Sequence, residues 1–142
     1  MASERDQVHP FSARVDAPYW DGLAEGELRI QRCDGCRQWS WPADWRCGRC
    51  GSYDFVWEAV EPRGTVYSWI RTRQALVPAF ADLVPYVNVL VELEGLGGAR
   101  IMGLLTGDTD DVTTGRRVTG TFQPPSPRTL DLAVLTWTLA DA

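Results

Sequence analysis

The spacing of apolar residues changes period along the chain, and each change predicts an element. Residues 1–16 are polar, with Pro10 and scattered Asp and Arg, and read as a loose arm. From Asp16 to Glu27 the apolar residues Tyr19, Trp20, Leu23 and Ala24 recur every three or four positions, a helical stripe. Asp16 is placed to cap this helix, Pro18 suits its first turn and Gly26 suits its end. A helix this short is marginal alone, so it must dock on its own domain or on a partner. At Leu28 the period falls to two: Leu28 and Ile30 alternate with polar residues up to Arg32, which predicts a strand. Trp39, Trp41 and Trp45 follow, and Tyr53, Phe55 and Trp57 alternate again.

Beyond Val60 the pattern is that of an antiparallel β domain. Thr65–Ile70 is rich in β-branched and aromatic residues and predicts a strand. Gln74–Pro85 predicts a loop with an apolar centre, residues 76–80. Tyr86–Leu93 predicts a second strand with Val87, Val89 and Val91 on one face. Glu94–Ala99 predicts the turn of a hairpin whose other arm is Arg100–Leu105. Gly107–Gly115, with Asp108, Asp110 and Asp111, reads as a solvated loop or capped turn. Arg117–Phe122 predicts a fourth strand, Gln123–Pro127 a break, and Leu130–Leu139 a fifth strand with apolar residues at 130, 132 and 134. Five strands with a non-strand insert between the third and fourth is the order of an OB-fold.

Composition adds compartment and charge. The chain is 44% hydrophobic, enough for a core of modest size. Residues 1–16 lack the apolar run of a secretory leader, and no stretch approaches the roughly 18 apolar residues of a membrane span. All 14 basic residues are arginine, against 19 acids, for a net charge of −5. Arginine favours planar, bidentate contacts to carboxylate and phosphate, although an all-arginine set also arises from codon composition.

All four cysteines fall in one stretch, Cys33-Asp34-Gly35-Cys36 and then Cys47-Gly48-Arg49-Cys50. Two C-x-x-C turns facing each other supply a tetrahedral cage of thiolates, which suits Zn²⁺ in a structural site. Iron also fits such a cage, and two disulfides are the third alternative. Gly35, Gly48 and Gly51 fall where a knuckle needs positive φ or close backbone approach. A metal cage predicts a reducing compartment and thus a cytoplasmic chain. The aromatic residues around the cage are expected to pack over it, and Arg32, Arg37, Arg46 and Arg49 to offset its charge or form an anion-binding rim.

Independent catalysis finds little support. An acyl-transfer site needs a nucleophile and a base. The cysteines are committed to metal, and the single histidine, His9, lies in the arm. Gly95-Leu96-Gly97-Gly98 lacks the G-x-G-x-x-G spacing of a dinucleotide site. Binding of single-stranded nucleic acid is the alternative function, with Tyr67 and Trp69 as stacking platforms. Its charge is wrong: residues 61–142 hold seven arginines against nine acids.

The chain resembles the zinc-ribbon plus OB-fold family catalogued as domain of unknown function thirty-five. The resemblance is carried by Tyr19-Trp20-x-Gly22-Leu23, the two C-x-x-C pairs, Trp41-Pro42, Gly64-Thr65-Val66-Tyr67-Ser68, Pro78-Ala79-Phe80, Pro85-Tyr86 and Val91-Glu92-Leu93. It runs from about Pro18 onward, and its cysteine spacing is its most specific part. It implies a mainly β chain with an N-terminal arm and helix (1–27), a rubredoxin-like zinc ribbon (28–59) and a C-terminal five-stranded OB-fold barrel (60–142). It also implies a non-catalytic subunit that binds a thiolase-like enzyme of acyl-CoA chemistry in a hetero-oligomer, either a condensing thiolase or a steroid side-chain aldolase. Cys33, Cys36, Cys47 and Cys50 would then hold a structural Zn²⁺. For the partner, or for acyl-CoA at the interface, the candidate contacts are Arg71, Arg73, Leu76, Pro78, Phe80 and Tyr86.

Overall fold

The computed structural model describes residues 15–141; His9 and most of the arm lie outside them. The chain forms two compact units. One contains the described residues up to Val60 together with Pro124–Val134, and the other contains Glu61–Gln123 and the chain from Leu135 onward. Residues 124–134, inside the span expected for the barrel, thus belong to the first unit.

The first unit begins with helix α1, Ala17–Ala24. Asp16 does not cap it through a backbone N–H, as its position suggests. Its carboxylate instead accepts from the Trp20 indole at 3.1 Å, and its carbonyl accepts from the Tyr19 N–H at 3.0 Å. The end is as expected. Gly26 has φ +77°, the Glu27 N–H reaches the Gly22 carbonyl at 2.8 Å and the Gly26 N–H reaches Leu23 at 3.2 Å. That pair of bonds around a left-handed glycine is a Schellman motif. It turns the chain into β1, Leu28–Cys33, which lies between β2, Trp39–Ser40, and β3, Phe55–Val60, in an antiparallel sheet.

Tyr19 and Leu23 of α1 and Leu28, Ile30 and Cys33 of β1 are buried. Tyr19 packs on Trp41 at 4.4 Å between ring centroids. Gln31 is buried too, against the alternation of its strand. Its amide donates to the Asp44 carbonyl at 2.8 Å and accepts from the Asp44 N–H at 2.9 Å, so the incoming loop satisfies it. Trp45 and Tyr53 depart from the expected packing, being 65% and 72% exposed.

The second unit is a closed barrel of β4 (Arg63–Thr72), β5 (Tyr86–Leu93), β6 (Arg100–Leu105), β7 (Arg117–Gln123) and β8 (Val134–Leu139), in the order β4-β5-β6-β8-β7. This is the OB-fold arrangement expected from the strand order. β4 is longer than its apolar run suggests because it pairs with both β5 and β7, with a bulge between Val66 and Ser68. Val87, Val89 and Val91 are completely buried on one face of β5, as their spacing requires.

The fifth strand is shorter than expected and shifted in phase. Pro127–Thr129 form a 3₁₀ turn closed by Ser126 and Thr129, and Leu130 and Asp131 both adopt positive φ. The strand therefore begins at Val134, and Leu135 and Trp137 are the buried apolar positions. Leu130, expected inside, is 63% exposed. Trp137 fits because β6 has no side chain beside it: a Cβ on Gly103 would lie 2.7 Å from its ring.

Candidate metal centre and partner surface

The two C-x-x-C turns are built on one plan, fourteen residues apart. In the first, the Arg37 N–H bonds the Cys33 carbonyl at 3.0 Å and the Cys33 N–H bonds Gln38 at 2.9 Å. In the second, the Gly51 N–H bonds the Cys47 carbonyl at 2.9 Å and the Cys47 N–H bonds Ser52 at 2.8 Å. Each turn places the residue after its second cysteine in the left-handed region, Arg37 at φ 65° and Gly51 at φ 78°. Glycine is thus required by conformation at 51 alone of the three expected positions. A Cβ on Gly35 would make ordinary contacts from 3.5 Å, and one on Gly48 would meet nothing within 4 Å.

The four Sγ atoms lie within 4.8 Å of one another. Cys33 and Cys50 approach to 3.5 Å, and Cys36 and Cys47 to 3.6 Å. A disulfide needs about 2.05 Å, so all four thiols are free. A tetrahedron of sulfur around Zn²⁺, with Zn–S of about 2.3 Å, has edges of about 3.8 Å. The observed spacing fits a four-coordinate ion. The Cys36 N–H also points at the Cys33 sulfur at 3.4 Å.

Backbone dipoles favour thiolate at two of the positions. Cys47 is lowered to about 6 by the N–H groups of Cys50 and Arg49. Cys33 is lowered chiefly by the Cys36 N–H. Cys36 is pushed up to about 11: the Gln38 N–H lowers it, but burial and its three sulfur neighbours outweigh that donor. Four thiols so close cannot all ionise without a cation among them.

Three of the four arginines expected to form an anion rim, Arg32, Arg37 and Arg46, are engaged within the ribbon. Arg32 and Arg37 both pair with Glu58, at 3.2 and 2.9 Å. Burial raises the Glu58 carboxyl, but these two donors hold it below its usual range. Arg46 donates to the Gly51 carbonyl at 3.2 Å.

The candidate partner residues gather at the end of β4 and in the loop to β5, with unequal freedom. Arg71 is engaged: it donates to the Thr109 hydroxyl at 3.1 Å and to its carbonyl at 2.9 Å. Phe80 is half-buried and meets Tyr86 edge-on at 5.9 Å, so these rings pack the loop onto the barrel. Pro78 opens the 3₁₀ turn Pro78–Phe80 and is exposed, as is Arg73. Leu76 is 81% exposed and Val77 is 49% exposed. Sequence reasoning missed a second apolar surface. Ser68, Leu90 and Met102 are aligned across β4, β5 and β6, and Ile70, Asn88 and Leu104 form the next row. Met102 and Ile70 are largely exposed. The signal was present in β6, where Met102 is apolar on the face opposite Ile101. Beside this surface the Arg100 guanidinium lies 3.6 Å from the Tyr67 ring centroid.

Residues 20–56 match the rubredoxin-like zinc ribbon domain of ChsH2, and residues 57–123 match the ChsH2 C-terminal OB-fold domain. A chain of the Ltp2-ChsH2(DUF35) aldolase has the same fold, with TM-score 0.78 and 30% identity over 90% of this chain and 96% of that one. The protein belongs to the ChsH2 (DUF35) family. A DUF35 protein of unknown function from Sulfolobus solfataricus shares the fold at TM-score 0.61 and 12% identity, covering 96% of this chain and 92% of that one. Two curated relatives are each 38% identical. One, a probable enoyl-CoA hydratase alpha subunit of Thermomonospora curvata, aligns over 72% of this chain. The other, the 3-oxo-4,17-pregnadiene-20-carboxyl-CoA hydratase alpha subunit of Mycobacterium tuberculosis, aligns over 81%. The chain spans only 31% and 36% of their lengths. It therefore matches the ChsH2-type part of longer subunits. Among the described residues, no helix is long and apolar enough to cross a membrane.

Proposed function

We propose that this ChsH2-family chain is a non-catalytic scaffold subunit of a cytoplasmic acyl-CoA complex, in which it binds a thiolase-like enzyme, a condensing thiolase or a steroid side-chain aldolase, and supports its acyl-CoA chemistry. The observation that carries this reading is the likeness to a chain of the Ltp2-ChsH2(DUF35) aldolase, over nearly the whole of that chain. The two hydratase alpha subunits support the acyl-CoA part. Cys33, Cys36, Cys47 and Cys50 hold Zn²⁺ as a structural ion in this proposal. Four thiolates fill its coordination shell, so the ion supplies folding energy and offers no open position to substrate. The Leu76–Val77 loop tip and the Ile70–Met102 face are apolar surfaces for the enzyme partner, with Arg73 beside them for acyl-CoA phosphates. Nucleic-acid binding is disfavoured, because residues 61–142 hold seven arginines against nine acids and offer no basic stripe for phosphates.

The test is affinity purification of the tagged chain from its native host, with the partner identified by mass spectrometry. A thiolase-like protein that co-elutes, and that needs this chain for solubility or turnover, supports the reading. Recovery of the chain alone, or with nucleic acid only, overturns it. Leu76→Ser and Met102→Glu should each weaken partner binding by about 1 kcal/mol or more while leaving the melting temperature unchanged.

A further inference from the structure

We propose that Arg32 and Arg46 are matched positioning residues for the four thiolates, and that they hold the two knuckles unequally, so that the Cys47–Cys50 knuckle opens first when metal exchanges. This rests on the structural-metal reading above.

Each arginine immediately precedes the first cysteine of its knuckle. Its Nε donates to the carbonyl of the left-handed residue after the second cysteine, Arg32 to Arg37 at 2.8 Å and Arg46 to Gly51 at 3.2 Å. Its guanidinium then faces the aromatic ring two residues further on, Arg32 at 4.5 Å from Trp39 and Arg46 at 5.8 Å from Tyr53. The Cys33–Arg37 and Cys47–Gly51 backbone bonds close each loop from inside. The arginines close it from outside, and the ring shields one face of each guanidinium from water. A loop held at both ends keeps its two sulfurs convergent before metal arrives.

The clamps differ in strength. The first knuckle grows out of β1 and returns through β2, so the sheet holds both of its ends. Glu58 fastens it again by pairing with both Arg32 and Arg37. The second knuckle is entered from a loop, which Gln31 anchors at Asp44. Among the described residues no carboxylate pairs with Arg46. Its ring partner Tyr53 is 72% exposed, and its second cysteine, Cys50, is exposed where the counterpart Cys36 is half-buried; the first cysteines, Cys33 and Cys47, are both buried.

The experiment measures zinc release from the zinc-loaded chain to a chromophoric chelator, with the Co²⁺-substituted absorption spectrum as a check on ligand geometry. Arg46→Ala should speed release by about tenfold. Arg32→Ala should speed it less, because the sheet still holds its knuckle. Arg49→Ala removes the same charge from the same knuckle without touching the clamp, and should leave the rate unchanged. Equal rates for Arg46→Ala and Arg49→Ala would overturn the proposal. If Arg46→Ala fails to fold, Arg46→Lys decides: it keeps the charge but loses the planar Nε donor. Fast release supports the clamp, and a wild-type rate overturns it. Limiting iodoacetamide on the loaded protein should label Cys47 and Cys50 before Cys33 and Cys36; the reverse order overturns the asymmetry. A chain that binds no zinc sinks the metal reading itself, which is distinct from zinc bound with one common release rate.

Discussion

The barrel unit buries Val66, Val87, Val89, Val91, Leu93, Ile101, Leu105, Val118, Leu135 and Trp137, an apolar set contributed by all five strands. The ribbon unit buries Tyr19, Leu23, Leu28 and Ile30, and beside them two of the four cysteines. The barrel has enough side chains to close on itself, each worth roughly 1.5–3 kcal/mol when removed from water. The ribbon does not, and a unit so small needs a metal or a disulfide to stay folded. Its thiols are free and close enough to hold an ion, which is the staple proposed for it. Polar contacts follow the same division. Arg32, Arg37 and Arg46 of the ribbon are spent on carbonyls, aromatic rings and Glu58, whereas the outer face of the barrel leaves the apolar Ile70 and Met102 exposed.

Metal removal should break this contrast most sharply. Cys47→Ser, or a strong chelator, should cost the ribbon on the order of 10 kcal/mol and unfold it. The near-UV dichroism of the Tyr19–Trp41 pair should vanish while methyl resonances of Val87 and Val89 keep their folded positions. Loss of both signals together would show that the barrel depends on the ribbon. The converse substitution is next in size. Trp137→Ala should destabilise the barrel by about 3–5 kcal/mol, and Gly103→Val, which drives a side chain into that ring, by about 1–3 kcal/mol. Zinc affinity should stay unchanged in both. A parallel fall in affinity would join the units that the core residues separate.

An alkaline limb should belong to the ribbon alone. Burial, and then the charge of Asp16, push the Tyr19 phenol up to about 12. A raised folded value means that the native state holds its proton longer than the unfolded chain does. Stability is therefore complete below the unfolded value of about 10 and is lost as pH rises through about 12, with a full loss of about 3 kcal/mol. Tyr19→Phe should flatten this limb in denaturant titrations from pH 9 to 12. The smallest effect is expected at the two left-handed positions. Arg37→Gly relieves roughly 1 kcal/mol of backbone cost but gives up exposed ion pairs to Asp34 and Glu58. The melting temperature should move by no more than a few degrees. A large loss would mean that Glu58 holds the first knuckle more firmly than exposed pairs usually do.

Much of this was legible in the residues. Local chemistry announces itself: two C-x-x-C pairs, a glycine where α1 must stop, alternate valines where β5 must bury one face. The four-cysteine cluster was readable because each pair is close in sequence. The fifth strand was misjudged because its apolar residues run through a turn. Leu130 and Asp131 are left-handed, an αL backbone conformation that hydropathy alone does not encode. The Arg71–Thr109 contact was not legible because the two residues are 38 apart in sequence. The Ile70–Met102 face was missed because an apolar residue on the second face of a strand looks like core until the register is known.

The sequence by itself determined the two facing C-x-x-C pairs, the helix and the order of the strands. These rest on residue type and short-range period, which physics reads locally. Tertiary structure alone decided which arginines are free and which rings are exposed. It also revealed that the two knuckles are copies of one clamp of unequal strength. Those properties depend on neighbours brought together by folding: Glu58 comes to Arg32 and Arg37 only because β3 pairs with β1. The four-cysteine stretch brings its sulfurs within 4.8 Å of one another only because both turns fold on one plan.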